Sequence, residues 1–344
     1  MSFVNPLRWP IWSTLWRSVS RFVQGLIHLL YRPSIERDER LDEVAGAGGH
    51  TKPQSVRPSR SCKPSQYPTT VTYRHVHLKP NLEIPKPRPG EVIYIAKGQF
   101  LTRGGTAILE LLPSGAVVKT ASPNPFCPPE EEDCRRNMRL EAQIYQKIGD
   151  HPRVPKFIQW DPDTCSLTID YMKNGNLRDY IRLNFDTLTY EHRFRWAKQA
   201  AEGLQLLHSI GVVHCDISPR NFLLDSSLNL RISDFAGASL CGSEPSAFAA
   251  TRFRHPSCNW DVAPRFEDDI FGLGSLIYFI MTNNYPYEEL PSDEVEKLYK
   301  HRDFPEVAHL ACGAIIKQCW NQQLNAVQVY DSLKLIVPYS LLSS

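Results

Sequence analysis

The sequence predicts an α+β fold of two lobes, a small β-rich lobe followed by a larger helical one, preceded by a poorly ordered N-terminal extension. Three observations carry this. Glu91 to Lys119 alternates short β-type runs with glycines (V-I-Y-I, L-T-R-G-G-T, A-I-L-E-L-L, A-V-V-K), the pattern of short strands joined by turns. From Tyr190 onward, apolar residues recur at helical spacing over stretches too long for strands. The first 90 residues differ from both: eight prolines between Pro53 and Pro89 and G-A-G-G-H at 46–50 cannot build a core,.

Composition sets outer limits. At 344 residues and 42% apolar content the chain can bury a large core, and a net charge of +2 gives no reason to expect a nucleic-acid partner,. The nine cysteines are odd in number and scattered, with no C-x₂-C pair. Zinc is therefore disfavoured, and free thiols in a reducing, cytoplasmic compartment are the plain expectation.

Residues 1–35 contain four arginines and no acid. From Trp12, positions Leu15, Trp16, Val19, Phe22, Val23, Leu26 and Leu30 follow a helical period, while Arg17 and Arg21 interrupt the run and exclude a membrane-spanning helix,. Such a basic, Trp-bearing helix suits a membrane surface or a transit peptide, making the protein peripheral to a membrane or imported. A helix docked on the protein's own surface and a disordered tail are the alternatives. Residues 36–90 read as a disordered linker, and the composition turns globular near Glu91.

In the small lobe, Pro113-Ser114-Gly115 closes a hairpin. Lys119 ends a buried-looking strand, where a lysine is costly unless it meets anions. The next helix, E-E-D-C-R-R-N-M-R-L-E-A-Q-I-Y-Q-K-I, opens on acids as the helix dipole favours, with Leu140, Ile144 and Ile148 on one face and Glu141 beside it,. S-L-T-I-D-Y-M-K-N-G-N-L reads as a strand and a turn. Tyr190 to Ile210 then reads as a helix stopped at Gly211.

The chemistry concentrates in V-V-H-C-D-I-S-P-R-N-F-L-L-D, Val212 to Asp225. Asp216 and Asn221 stand five residues apart between apolar runs, and Asp234 follows in I-S-D-F-A-G. One acid beside a hydroxyl, with an amide and a second acid to hold Mg²⁺, is the equipment of phosphoryl transfer. The order His-x-Asp, Asn, Asp-Phe resembles the catalytic and metal loops of eukaryotic-type protein kinases, in a divergent form. The resemblance covers roughly residues 92–336. It implies a two-lobed kinase-like domain over 91–338, with an N-lobe at 91–170 and a C-lobe at 175–338.

The resemblance also implies roles. Asp216 would orient the substrate hydroxyl and Lys119 would hold ATP phosphates while paired with Glu141. Asn221 and Asp234 would hold Mg²⁺, a hard ion that prefers oxygen ligands. Gly104 and Gly105 would cover the phosphates, although Thr102 and Ala107 stand where flanking glycines are usual. Adenine would meet the Asp170 carbonyl and the Met172 N–H, with Ile169 behind it and Leu223 as a further nucleotide contact. His214 would be a packed core histidine, Phe235 would lie between the Glu141 helix and His214 against Tyr145, and Asp269 would bond the catalytic-loop backbone. Trp320 would be a core aromatic.

Four departures qualify the resemblance. Cys215 replaces the arginine before the catalytic acid, so activity should not depend on a phosphate in the activation loop. Ser218 stands where Ser/Thr kinases carry a lysine, and Arg220 could supply the charge. Ala236 replaces the glycine of Asp-Phe-Gly. His255-Pro256-Ser257 replaces Ala-Pro-Glu, and no arginine follows Trp320 in W-N-Q-Q-L-N-A-V-Q, so both halves of a buried ion pair are missing together. The expected function is an ATP- and Mg²⁺-dependent protein kinase acting on Ser or Thr hydroxyls of an unknown protein substrate. A pseudokinase scaffold and a small-molecule kinase of the aminoglycoside or choline type are the alternatives.

Overall fold

The computed structural model describes residues 71–77 and 84–336. The amphipathic segment expected at 1–35 and most of the linker lie outside them. Within the stretch expected to be linker, however, Thr72–Val76 forms strand β1, paired in parallel with β2 (Glu91–Ile95). T-Y-R-H-V has the β-branched and aromatic residues of a strand, but its partner is remote in sequence and proline-bearing chain separates the two. Arg74 clamps the pair with two 2.8 Å bonds to the Glu91 carboxylate, and the His75 ring packs against Tyr94 and Phe100.

The small lobe is built on an antiparallel sheet in the order β3-β4-β5-β7-β6, comprising Gln99–Arg103, Ala107–Leu111, Ala116–Ala121, Ser166–Asp170 and Phe157–Asp161. β4 and β5 are the expected hairpin, and Gly115 takes the left-handed conformation (φ 85°) that its turn requires,. The carboxylate of Glu110, fully buried on β4, accepts bonds from the Tyr94 hydroxyl at 2.7 Å and the Lys97 N–H at 3.0 Å. Helix α1, Pro128–Ile148, buries Met138, Glu141, Ile144 and Tyr145.

The larger lobe is helical: α2 (Leu177–Asn184), α3 (Tyr190–Ser209), α4 (Phe266–Thr282), α5 (Ser292–Lys300), α6 (Gly313–Trp320) and α7 (Ala326–Leu335). Thr189 caps α3 by accepting the His192 N–H,. α4 is apolar nearly all round and buried along most of its length, as a central helix must be,. It packs on α3 and α6, and Trp320 donates to the Ser275 hydroxyl at 3.0 Å. Between α3 and α4 run the short strands β8 (Val212–Val213), β9 (Phe222–Leu224), β10 (Leu230–Ile232) and β11 (Ser239–Leu240), pairing β9 with β10 and β8 with β11. These two antiparallel pairs frame the loops that carry Asp216, Asn221 and Asp234.

Among the described residues no helix is long and apolar enough to cross a membrane. Seven cysteines there are free. Cys127 is disulfide-bonded, against the expectation of free thiols throughout.

Candidate active site

Lys119 reaches out of β5, and its ammonium is shared by two carboxylates from different lobes. Nζ lies 2.8 and 2.7 Å from the two oxygens of Glu141 on α1 and 2.9 Å from Oδ1 of Asp234. Glu141 is fully buried, Lys119 nearly so, and the Asp234 side chain keeps 51% of its surface open to the cleft. Burial alone would depress the Lys119 pKa, but Asp234 and Glu141 together more than offset it and hold the ammonium above its ordinary value,. The same lysine pulls Asp234 below the usual carboxylate range. Asp234 also sits at φ 67°, a conformation costly for a non-glycine residue and maintained only where the surroundings impose it,.

Two supports fix that placement. Phe235 packs against Tyr145 (centroids 5.0 Å apart) and His214 (5.7 Å), and its N–H points to Glu141 Oε1 at 3.4 Å. His214 is a buried core residue whose Nε2 meets the Ser233 carbonyl at 3.0 Å.

Asp216 and Asn221 form the second cluster. The Asn221 amide nitrogen donates to the Asp216 carbonyl at 2.7 Å and to its carboxylate Oδ2 at 2.9 Å. Burial pushes the Asp216 carboxyl above its ordinary pKa, while His214 and the Asn221 bond pull the other way. Ser233, which sequence reasoning did not single out, joins this cluster to Asp234: its N–H and its hydroxyl both donate to the Asn221 carbonyl, at 2.9 and 3.0 Å. Its position directly before Asp234 was the available signal.

The loop that carries Asp216 is anchored from α4. The buried Asp269 accepts the N–H of His214 at 2.7 Å and that of Cys215 at 3.0 Å. His208 lies 3.1 Å from the same carboxylate.

The remaining candidates line the approaches. Gly104 and Gly105 occupy the exposed turn between β3 and β4, closed by a Gly104 N–H bond to the Ala107 carbonyl at 2.9 Å. Asp170 ends β7 beside the buried Ile169. Among the described residues the N–H of Met172 donates to no group, while its carbonyl accepts the Gly175 N–H at 3.1 Å. Leu223, on β9, is half-buried and bridged to Asn176. Arg220 is exposed in the loop between Asp216 and Asn221, and its charge is felt at the Tyr285 hydroxyl together with those of Arg178 and Arg182.

For a metal, the described residues offer no group of three or more His, Cys, Asp or Glu side chains. They do offer two hard oxygens. The Asn221 amide spends its nitrogen on Asp216, and among the described residues its oxygen accepts no hydrogen bond, nor does Asp234 Oδ2. A pair of this kind suits Mg²⁺, whose shell phosphate oxygens and water complete.

Residues 117–330, more than half of the chain, match the family model for protein tyrosine and serine/threonine kinases. The chain belongs to that family. Similar proteins include a probable serine/threonine-protein kinase, MARK-C, of Dictyostelium discoideum (24% identical over 259 residues, 67% of this chain and 31% of that protein). Others are the serine/threonine/tyrosine-protein kinase HT1 of Arabidopsis thaliana (25% over 211 residues, 57% and 53%) and ephrin type-A receptor 5 of Gallus gallus (24% over 216 residues, 59% and 21%). The chain thus spans about a third to a half of the first two relatives' lengths. The kinase match begins within β5, so β1 to β4 lie ahead of it.

Proposed function

We propose that the chain transfers the γ-phosphoryl group of ATP to serine or threonine hydroxyls of protein substrates, with Mg²⁺. The observation that carries this reading is the buried ammonium of Lys119 held between Glu141 and Asp234. Both partners pre-orient a permanent cation at the cleft, where it meets the α- and β-phosphates. Phosphoryl transfer asks the protein mainly for positioning and for charge placed in advance, and this ion triad supplies both.

The other residues complete the task. Asp216 orients the substrate hydroxyl and takes its proton, and a carboxyl raised by burial is the better base for that step,. Asn221 and Asp234 hold Mg²⁺, which when bound neutralises phosphate charge. Gly104 and Gly105 bring backbone N–H groups over the phosphates. The Met172 N–H and Asp170 carbonyl receive adenine over Leu223, and Arg220 adds positive charge where Ser218 has none. The name of MARK-C favours Ser/Thr acceptors, and that of HT1 includes them beside tyrosine.

A second reading, a nucleotide-binding scaffold without turnover, is favoured by Ser218 and by Thr102 and Ala107 on the strands that flank the phosphate-covering turn. One assay separates the two: Mg²⁺-dependent transfer of labelled γ-phosphate to generic protein substrates, wild type beside Asp216→Ala. Transfer that disappears in the variant supports the kinase. Absence of transfer in both, with ATP raising the Tm, supports the scaffold. Absence of transfer and of nucleotide binding sinks both readings.

A further inference from the structure

Strand β1 lies ahead of the kinase match and contributes nothing to the site chemistry, yet one of its residues bridges two parts of the small lobe. The Tyr73 hydroxyl donates to the Pro123 carbonyl at 2.8 Å. Pro123 lies on the segment between β5, which carries Lys119, and α1, which carries Glu141. Over the ring of Tyr73 sits the guanidinium of Arg103, 3.7 Å from the centroid.

Arg103 is the last residue of β3, immediately before Gly104. Its Nε is buried with no hydrogen-bond partner, and among the described residues its guanidinium makes no ion pair. The ring is therefore the principal support for this side chain, and a cation over an aromatic face is attracted to the ring's electrons. Beyond Arg103 the turn is closed by the Gly104 N–H on the Ala107 carbonyl at 2.9 Å. It is tied to its neighbours by the Ser122 N–H on the Thr106 carbonyl at 2.9 Å and a 4.0 Å contact from Cys134 Sγ to the Gly105 carbonyl.

We propose that Tyr73 is a positioning residue for the phosphate-covering turn. Through Arg103 it ties Gly104 and Gly105 to the segment leading into α1, so the turn and the Lys119–Glu141 pair keep one relative placement. This rests on reading residues 104–106 as the turn that covers ATP phosphates.

The test uses the full chain with Tyr73→Ala, Tyr73→Phe, Arg103→Met and the Tyr73→Ala/Arg103→Met double variant. Two readouts are taken, KM for ATP against kcat, and hydrogen exchange at the amides of residues 103–107. Tyr73→Ala is expected to raise KM for ATP about 3- to 10-fold, the span a cation–π contact supports, with little change in kcat and faster exchange in the turn. Arg103→Met gives the same change, and the double variant is no worse than either single one, because the two act as a unit. Tyr73→Phe keeps the ring, loses the Pro123 bond and falls between. Should Tyr73→Ala fail to fold, Tyr73→Phe and Arg103→Met carry the comparison. Unchanged KM and exchange in the single variants, or additive effects in the double one, overturn the proposal. A wild type that neither binds nor turns over ATP removes the functional reading instead, and the exchange data still decide whether Tyr73 holds the turn.

Discussion

Asp269 holds Cys215 in a left-handed backbone conformation: Oδ1 accepts the Cys215 N–H at 3.0 Å while φ stands at 67°. The other oxygen takes the His214 N–H at 2.7 Å. The bend that presents Asp216 therefore depends on a carboxylate from a helix more than fifty residues downstream. Asp269→Asn leaves one carbonyl oxygen for two donors and turns an amide N–H₂ toward the other. The expected loss is about 2–4 kcal/mol, from unsatisfied buried donors. A calorimetric Tm lowered by roughly 6–12 °C is the check for a domain of this size. An unchanged Tm would mean that the loop keeps its bend without the anchor.

Removing Lys119 strands two carboxylates. Lys119→Met is expected to abolish transfer and to destabilise by about 3–5 kcal/mol, because the buried Glu141 loses its compensating cation,. Adding Glu141→Gln should return much of that stability and none of the activity. Denaturant titrations of the single and double variants measure the coupling. Strict additivity would contradict the ion triad.

Two glycines should behave in opposite ways. A Cβ on Gly313 would meet the Val307 carbonyl oxygen at 1.9 Å, so Gly313→Ala must displace backbone and is expected to cost about 1–3 kcal/mol,. A Cβ on Gly105 meets nothing within 4 Å. Gly105→Ala should leave the Tm unchanged and raise KM for ATP, since only a bound phosphate needs that space. A change in Tm without one in KM would remove Gly105 from the nucleotide contacts.

Thiol reactivity should follow burial. Burial pushes the Cys134 thiol up to about 11 and those of Cys258 and Cys312 up to about 12, whereas Cys241 is exposed with Lys147 Nζ 3.6 Å away. A thiolate is the reactive form, so raised values mean slower alkylation at pH 8. Brief iodoacetamide treatment and peptide mapping should find Cys241 modified first among these. Earlier labelling of Cys258 would contradict the packing around it.

Activity is expected to survive loss of phosphate acceptors in the activation segment, because Cys215 offers no guanidinium to a phosphate there. A series of alanine substitutions at Ser239, Ser243, Ser246 and Thr251, assayed for transfer and for folding, measures this. Abolished transfer in a folded variant would refute it.

The order of chemical groups along the chain made the site's core legible. Lys119 after an apolar run, Glu141 beside a buried helix face, and Asp216, Asn221 and Asp234 at short spacings are local patterns. The structure joins Lys119 to Glu141 and Asp234, and Asp216 to Asn221; the strand itself runs past Lys119 to Ala121. The hairpin at Gly115 and the helices α1 and α3 were legible for the same reason, since turn chemistry and apolar periodicity act within a few residues. What escaped was long-range or counter to residue type. β1 pairs in parallel with a strand fifteen residues beyond its end, a contact that no local pattern encodes. Glu110 is an acid at a buried strand position, explicable only once Tyr94 and Lys97 are seen around it. Ser233 looks ordinary until both of its donors are found on Asn221.

The ion triad has one more consequence. Glu141 is sealed inside the small lobe beside Lys119, and the far side of the hinge reaches this pair twice, through Asp234 on the shared lysine and through the Phe235 N–H on Glu141 Oε1. The larger lobe is not electrostatically complete by itself: the cation that balances Asp234 belongs to the small lobe, where it already balances Glu141. A chain severed near Tyr171 would give two halves, one with a lysine–glutamate pair lacking its third member and the other with an aspartate in an unfavourable backbone conformation without its cation. The hinge therefore joins two parts of one folding unit, and the cleft between them is where that unit is closed.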